Sequence, residues 1–132
     1  MRDLPDPEKA KPCILVIDDD AMIAPAIAAR LGSDFRVVAT TEPTQAVAMA
    51  LREQPSVILC DINMPAMKGD EVAFALSEDP DTAEIPLIYL TDLVSPDDDM
   101  ELSGEFGDFP AMSKSASTSE LLEMIEQALG NN

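Results

Sequence analysis

The sequence predicts an α/β fold in which helices cover both faces of a five-stranded, doubly wound parallel sheet. Five short apolar runs alternate along the chain with segments that have helical character. Two of the runs, at 13–17 and 57–60, contain only apolar residues, which is typical of strands buried on both faces. Regular alternation of strand and helix indicates right-handed βαβ units. A chain of 132 residues is long enough for one such domain and its core.

The predicted strands are the apolar runs, and the predicted helices lie between them. The strands are at 13–17, 36–40, 57–60, 86–90 and 111–113, the last being the weakest. The helices are expected at 21–31, from Pro43 to 51, from Lys68 to just before Pro80, at 96–103 and at 118–129. Apolar residues at helical spacing identify the first and last helices, and a proline followed by acids identifies the fourth.

Three details concern the helix ends. Asp20 is placed to cap the first helix, and Thr118 or Ser119 is placed to cap the last. Pro25 falls past the first turn of the first helix by this reading. A proline there lacks the backbone N–H that the helix needs, so a kink is expected.

Composition excludes several classes of function. A net charge of −18 with no histidine disfavours direct binding to nucleic acid or to anionic membranes. No apolar run is long enough to span a bilayer, and residues 1–12 are too acidic and proline-rich for a secretory signal. We therefore expect a cytoplasmic protein with a flexible leader at 1–12 and a folded domain at 13–132. Cys13 and Cys60 should lie at opposite ends of parallel strands, unable to form a disulfide.

Polar side chains mark the carboxyl ends of four predicted strands. Asp18 and Asp19 follow the first strand, Asp61 the third, Thr91 the fourth and Lys114 the fifth. In an open parallel sheet, ligands bind at this edge, near the point where the strand order reverses. Crowded carboxylates raise one another's pKa unless a cation neutralises them, and oxygen ligands suit Mg²⁺. A zinc site is excluded because the chain has no histidine and only two separated cysteines.

This set of groups indicates a particular chemistry. A carboxylate, a divalent cation, a lysine and a hydroxyl are the groups required to move a phosphoryl group onto a carboxylate. The cation and the ammonium screen the charge on the phosphoryl oxygens while the carboxylate attacks in line. The sequence therefore predicts an aspartyl phosphate.

In the order and spacing of these motifs, the chain resembles the receiver domain of two-component response regulators. The resemblance covers residues 13 to about 129 and includes the run Asp-Ile-Asn-Met-Pro that begins at Asp61, with Gly69 eight residues further on. It implies a flavodoxin-like strand order of 2-1-3-4-5. Chemotaxis-type regulators that consist of a single receiver domain are the nearest group by this reading.

The resemblance also implies a role for each site residue. Asp61 would be the phosphoacceptor, with Thr91 as the hydroxyl that turns toward the phosphoryl group and Lys114 as its ion-pair partner. The implied ligands of Mg²⁺ are Asp18, Asp19, Asp61 and the backbone carbonyl of Asn63. Phosphorylation and dephosphorylation would be self-catalysed, so the domain is not expected to be an enzyme with a separate substrate.

Partners also follow from the resemblance. The donor would be a phosphohistidine on a sensor histidine kinase or a histidine phosphotransfer protein. The modification would shift binding to a downstream protein target or a separate output domain. The helices at 96–103 and 118–129 are where such a partner, or a second copy in a dimer, is expected to dock. If the chain is complete, signalling must pass through another protein.

The sequence departs from the family pattern at four positions. The residue three before the lysine is usually aromatic, and here it is Ala111. The residue after the lysine is usually proline, and here it is Ser115. Asp92 follows the threonine where the family usually has a small residue, and Pro25 is unusual in the first helix. The first two departures affect the usual aromatic-coupled switch, although they leave the acceptor chemistry intact.

Three alternatives stay open from the sequence. One is a receiver that acts as a docking module without phosphorylation, because Asp92 repels the donor and Ala111 removes the usual switch residue. The second is a small phosphatase of the haloacid dehalogenase type, which would need a threonine or valine at Met22. The third is an interaction domain whose acidic residues only keep it in solution.

Overall fold

The fold is seen in a computed structural model, which describes residues 11–91 and 109–130. Five parallel strands form one sheet in the order β2-β1-β3-β4-β5. The strands are β1 (Cys13–Ile17), β2 (Arg36–Thr40), β3 (Val57–Asp61), β4 (Leu87–Thr91) and β5 (Ala111–Ser113). The helices in the described ranges are α1 (Ile23–Leu31), α2 (Ala46–Glu53), α3 (Gly69–Ser77) and α4 (Thr118–Gly130). The predicted fold class and strand order are confirmed.

Some predictions fall on residues outside the described ranges. They are the greater part of the leader at 1–12, the short helix at 96–103 and the position of Asp92. Each of these stays a prediction. The described part of the chain contains no helix long and apolar enough to cross a membrane.

The two faces of the sheet are covered by different helices. Successive side chains of a strand point to opposite faces, so each central strand contributes to two cores. Leu15 and Ile58 pack in the core formed with α2 and α3. Val16 and Leu59 pack in the core formed with α1 and α4. All four side chains are fully buried, which explains why the sequence of these strands shows no polar alternation.

The start of α1 corrects the expectation for Pro25. The helix begins at Ile23, so Pro25 is its third residue rather than an interior one. The first backbone N–H groups of a helix have no partner within the helix, and the missing N–H of a proline therefore costs little there. Asp20 is not the capping residue either. Its carboxylate accepts a hydrogen bond of 2.9 Å from the N–H of Met22, closing the turn that precedes the helix.

The residue that caps α4 is Ser117, one position before the predicted cap Thr118. The Ser117 hydroxyl accepts a hydrogen bond of 3.1 Å from the N–H of Glu120. The Glu120 carboxylate in turn accepts one of 2.9 Å from the N–H of Ser117. This reciprocal pair is a capping box. Thr118 and Ser119 are already the first two helical residues, so the capping role predicted for them is wrong.

Both cysteines are free and buried, as predicted. In the register of the sheet Ile17 is opposite Cys60, so Cys13 lies at the other end of β1. Burial raises the pKa of both thiols above the ordinary value for cysteine. The two side chains therefore act as small apolar residues of the core.

The capping box leads to a test of stability. Substituting Ser117→Ala should lower the free energy of unfolding by about 1 kcal/mol, the usual cost of losing an N-cap side chain. Urea denaturation followed by far-UV circular dichroism measures the change. Ser119→Ala, two residues further on and also exposed, is the matched control and should have a smaller effect. Equal losses in the two variants would contradict the assignment of the cap.

Candidate functional site

Four polar residues predicted from the sequence lie at the carboxyl edge of the sheet. Asp18 follows β1, while Asp61 and Thr91 are the last residues of β3 and β4. All three are buried, with 2 to 4% of their surface exposed. Lys114 follows β5, and its N–H donates a hydrogen bond of 2.7 Å to the carbonyl of Thr91. The strand order reverses between β1 and β3, and a ligand site is expected at the carboxyl ends of these two strands.

The Lys114 ammonium contacts two buried carboxylates. Its Nζ lies 2.9 Å from Oδ2 of Asp18 and 3.3 Å from Oδ1 of Asp61. Only 16% of the lysine side chain is exposed, so solvent screens these ion pairs weakly. One ammonium facing two carboxylates leaves a net negative charge in the site. That charge favours the binding of a further cation.

A third carboxylate completes an acidic cluster. Asp18, Asp19 and Asp61 each offer an oxygen, and the three oxygens lie within 4.8 Å of one another. Asp19 is exposed while the other two are buried, so the cluster opens to solvent on one side. Hard carboxylate ligands with an open side suit Mg²⁺, which keeps several of its waters when it binds to proteins. The residues present therefore fit the predicted metal.

The site raises the pKa of Asp61 to about 6. Burial is the main cause, followed by the neighbouring carboxylate of Asp18. The Lys114 ammonium and the N–H of Asn63 act in the opposite direction. The backbone N–H of Asn63 donates a hydrogen bond of 3.4 Å to Oδ1 of Asp61. The role of its carbonyl as a metal ligand stays a prediction.

Gly69 allows α3 to begin directly against the end of β3. Its N–H donates a hydrogen bond of 2.9 Å to the carbonyl of Ile62. A Cβ at this position would lie 2.8 Å from the carbonyl oxygen of Asp61, closer than real Cβ atoms approach, and 3.0 Å from the Cα of Ile62. The glycine is therefore required by the close backbone contact beneath the acidic cluster.

Sequence reasoning missed Tyr89 as a neighbour of the site. Tyr89 is opposite Ala111 in the register of β4 and β5, and its side chain is fully buried. Its ring packs edge-on against Phe109, with ring centroids 6.1 Å apart. Position 111 therefore lacks the aromatic that the family usually has there, while the neighbouring strand β4 carries an aromatic, Tyr89, directly opposite it. The sequence signal was available, since Tyr89 is two residues before Thr91 and a strand places such residues on one face.

Comparison with known proteins agrees with this geometry. The family described as response regulator receiver domain matches residues 14–126, which is most of the chain. The chain belongs to this family. The predicted resemblance is confirmed, and the haloacid dehalogenase type of phosphatase is no longer needed to explain the site.

Individual relatives of this receiver domain show the same relationship. The chain is 38% identical over 81 residues to the response regulator PleD of Caulobacter vibrioides, a match that covers 61% of the chain and 18% of PleD. The chemotaxis protein CheY4 of Vibrio cholerae has a TM-score of 0.77 at 25% identity, covering 90% of this chain and 99% of that one. The receiver domain of the sensor histidine kinase PA1611 of Pseudomonas aeruginosa, solved with a magnesium ion in its active site cleft, has a TM-score of 0.78 at 25% identity. That match covers 91% of this chain and 98% of that one.

The raised pKa of Asp61 has a consequence for stability. An acid whose pKa is higher in the folded than in the unfolded state destabilises the fold wherever it is ionised, here above about pH 6. Without metal at pH 7.5, Asp61→Asn should raise the free energy of unfolding by about 1 to 3 kcal/mol, since one pKa unit corresponds to about 1.4 kcal/mol. The gain should shrink as the pH falls from about 6 to about 4.

Urea denaturation of the metal-free protein at a series of pH values measures this difference. Exposed Asp70 offers a matched control, because Asp70→Asn removes a carboxylate outside the site and should give a smaller change. A loss of stability in Asp61→Asn at pH 7.5 would contradict the conclusion that the ionised Asp61 carboxylate destabilises the metal-free fold.

The close approach at Gly69 gives a second test. Gly69→Ala should lower the free energy of unfolding by about 1 to 3 kcal/mol, the usual cost of overpacking. Gly130→Ala is the control because a Cβ there would have no atom within 4 Å. Thermal unfolding distinguishes the two. Similar midpoints for both variants would show that the backbone contact tolerates a methyl group.

Proposed function

We propose that this receiver domain accepts a phosphoryl group on Asp61 in a Mg²⁺-dependent reaction. The observation that supports it best is the placement of the Lys114 ammonium between Asp18 and Asp61, beside the three-carboxylate cluster. A site that only stabilised the fold would not need an exposed third carboxylate. The arrangement is incompletely neutralised, and it has one open side for a phosphodonor.

Each residue has a distinct part in the proposed reaction. An oxygen of the Asp61 carboxylate attacks the phosphorus of a phosphohistidine, forming an oxygen–phosphorus bond while the nitrogen–phosphorus bond breaks. The histidine nitrogen leaves with the electron pair of that bond. Lys114 pairs with a phosphoryl oxygen, and the Thr91 hydroxyl donates to another. A Mg²⁺ ion held by Asp18, Asp19, Asp61 and the Asn63 carbonyl would neutralise charge on the phosphoryl oxygens.

The pKa of Asp61 supports its role as the nucleophile. With a pKa of about 6, the carboxyl group is mostly ionised at neutral pH and more basic than an ordinary aspartate. Such a carboxylate can attack phosphorus. Loss of the phosphoryl group follows when water attacks the phosphorus, which regenerates the carboxylate. The domain is therefore a self-catalysed phosphoacceptor rather than an enzyme with turnover of a separate substrate.

The phosphodonor must come from another protein or domain. The chain contains no histidine, so it cannot supply its own phosphohistidine. A sensor histidine kinase or a histidine phosphotransfer protein is the proposed donor, and the receiver domain of the kinase PA1611 is among the structural relatives. The downstream partner is a protein target or a separate output domain. We propose α4 and the helix predicted at 96–103 as the surface for that partner or for a dimer.

A second candidate is a receiver used for docking without phosphorylation. The observation that favours it is Ala111, which is half-buried and leaves β5 without the aromatic that the family uses for its switch. In this case partner binding would be the same with and without a phosphodonor. Failure of phosphorylation in the following experiment would favour this candidate.

Phosphorylation is tested with acetyl phosphate and the intact protein. In the presence of Mg²⁺ the mass should rise by one phosphoryl group, and chelation of the metal should prevent the rise. Asp61→Asn should remain unmodified. Asp70→Asn, with an exposed carboxylate on α3, is the matched control and should be phosphorylated like the natural chain. No gain in mass, or the same gain in Asp61→Asn, would contradict the proposal.

A further inference from the structure

The loop between β5 and α4 carries Lys114, yet it lacks the residue that usually stiffens it. Ser115 stands where the family has a proline, and no cis peptide bond occurs in the described residues. A serine leaves the backbone with more freedom than a proline. The ammonium nevertheless lies against both Asp18 and Asp61. Other contacts must therefore hold the loop.

Some of these contacts are within the loop itself. The hydroxyls of Ser113 and Ser115 lie 2.8 Å apart, and the N–H of Ser115 donates to the Ser113 hydroxyl at 3.1 Å. The N–H of Ala116 donates to the carbonyl of Ser113 at 3.0 Å. These bonds shape a turn, but they do not attach the turn to the rest of the domain. The N–H of Lys114 attaches the start of the loop to the carbonyl of Thr91, and the residues that follow need an anchor from another element.

Arg30 supplies this anchor from the last turn of α1. Its Nε donates a hydrogen bond of 3.2 Å to the hydroxyl of Thr118, and its Nη2 donates to the carbonyl of Ala116. The two acceptors lie on either side of Ser117, so the planar guanidinium holds the end of the loop and the start of α4 together. The donors on Arg30 and their acceptors are separated by more than 80 residues in the chain.

The choice of partners is informative in so acidic a protein. With a net charge of −18, an arginine has many carboxylates available, and Arg36 and Arg52 both pair with Glu53. The contacts that the structure gives to Arg30 are instead with neutral oxygens of the loop. Its side chain is half-buried and lines a small apolar cavity together with Lys114. The Arg30 guanidinium therefore holds the loop between β5 and α4 in place rather than neutralising a carboxylate.

We propose that Arg30 is a positioning residue, whose guanidinium fixes the β5–α4 loop so that the Lys114 ammonium stays against Asp18 and Asp61. It takes over the function that a proline after the lysine would have. The inference rests on the proposed function, since the precise place of the ammonium matters for phosphoryl transfer to Asp61. Small displacements of such a group reduce rates strongly.

The first experiment compares phosphorylation rates with acetyl phosphate at saturating Mg²⁺. Arg30→Met keeps the packing of the stem and should lower the rate about tenfold, a typical loss when an orienting group is removed. Arg52→Met, in an exposed position on α2, is the matched control and should keep the natural rate. Arg30→Lys should restore part of the loss because one donor remains.

A double variant shows whether Arg30 acts through Lys114. In a Lys114→Met background, removal of the Arg30 guanidinium should cause no further loss of rate, because the group that it positions is gone. A purely structural role would lower the rate by the same factor in both backgrounds. That result, or an unchanged rate in Arg30→Met alone, would overturn the proposal.

A second measurement does not depend on phosphorylation. Trace labelling of amines with acetic anhydride, followed by peptide mass analysis, reports the accessibility of Lys114 relative to exposed Lys68. Labelling of Lys114 should rise severalfold in Arg30→Met and stay unchanged in Arg52→Met. Unchanged labelling in Arg30→Met would overturn the positioning role. Increased labelling in a chain that acetyl phosphate does not modify would instead support that role and refute the proposed function.

Discussion

Two carboxylates are buried at one edge of the sheet, and the Lys114 ammonium between them makes this arrangement tolerable. A buried carboxylate without a partner costs several kcal/mol. One ammonium balances only one of the two negative charges of Asp18 and Asp61. Burial raises the pKa of Asp61, and the neighbouring charge on Asp18 raises it further. The exposed Asp19 marks the side from which a further cation can complete the neutralisation.

The sheet brings these groups together, and the connecting segments determine how closely they meet. Parallel strands end at a common edge, so Asp18, Asp61 and Thr91 are neighbours once the order of strands is set. The lysine depends on more than the sheet, because β5 has only three residues and lies at the sheet's edge. Its loop is held by hydrogen bonds to Thr91 and to Arg30. At the end of β3, the absence of a side chain at Gly69 lets the start of α3 contact the backbone of Asp61 and Ile62.

Most of the fold and the composition of the site could be predicted from the sequence. The uninterrupted apolar strands reflect burial on both faces, and the polar residues after them reflect the common edge. Features that depend on exact boundaries could not be predicted. The sequence predicts Pro25 to lie past the first turn because it does not show that α1 begins at Ile23. The sequence does not single out Ser117 as the cap, because Thr118 and Ser119 are equally good capping residues by type.

Features that depend on contacts between distant segments were also out of reach. The pairing of Tyr89 with Ala111 follows from the register of two strands, which alternation of apolar residues does not determine. The contact of Arg30 with Ala116 joins residues 86 positions apart. Nothing about an arginine in the last turn of a helix indicates such a partner, because basic residues are common there in any helix.

The burial of Cys13 and Cys60 also bears on how the molecule can be studied. Both thiols are enclosed in the core, and burial raises their pKa, so the thiolate is even rarer at neutral pH than in an ordinary cysteine. Thiol-directed reagents react with the thiolate and need access to it. A single cysteine introduced at an exposed site, for example Ser119→Cys, would therefore carry a fluorescent or spin label selectively. The native cysteines could stay in place, and movements of α4 could be followed in the otherwise unaltered chain.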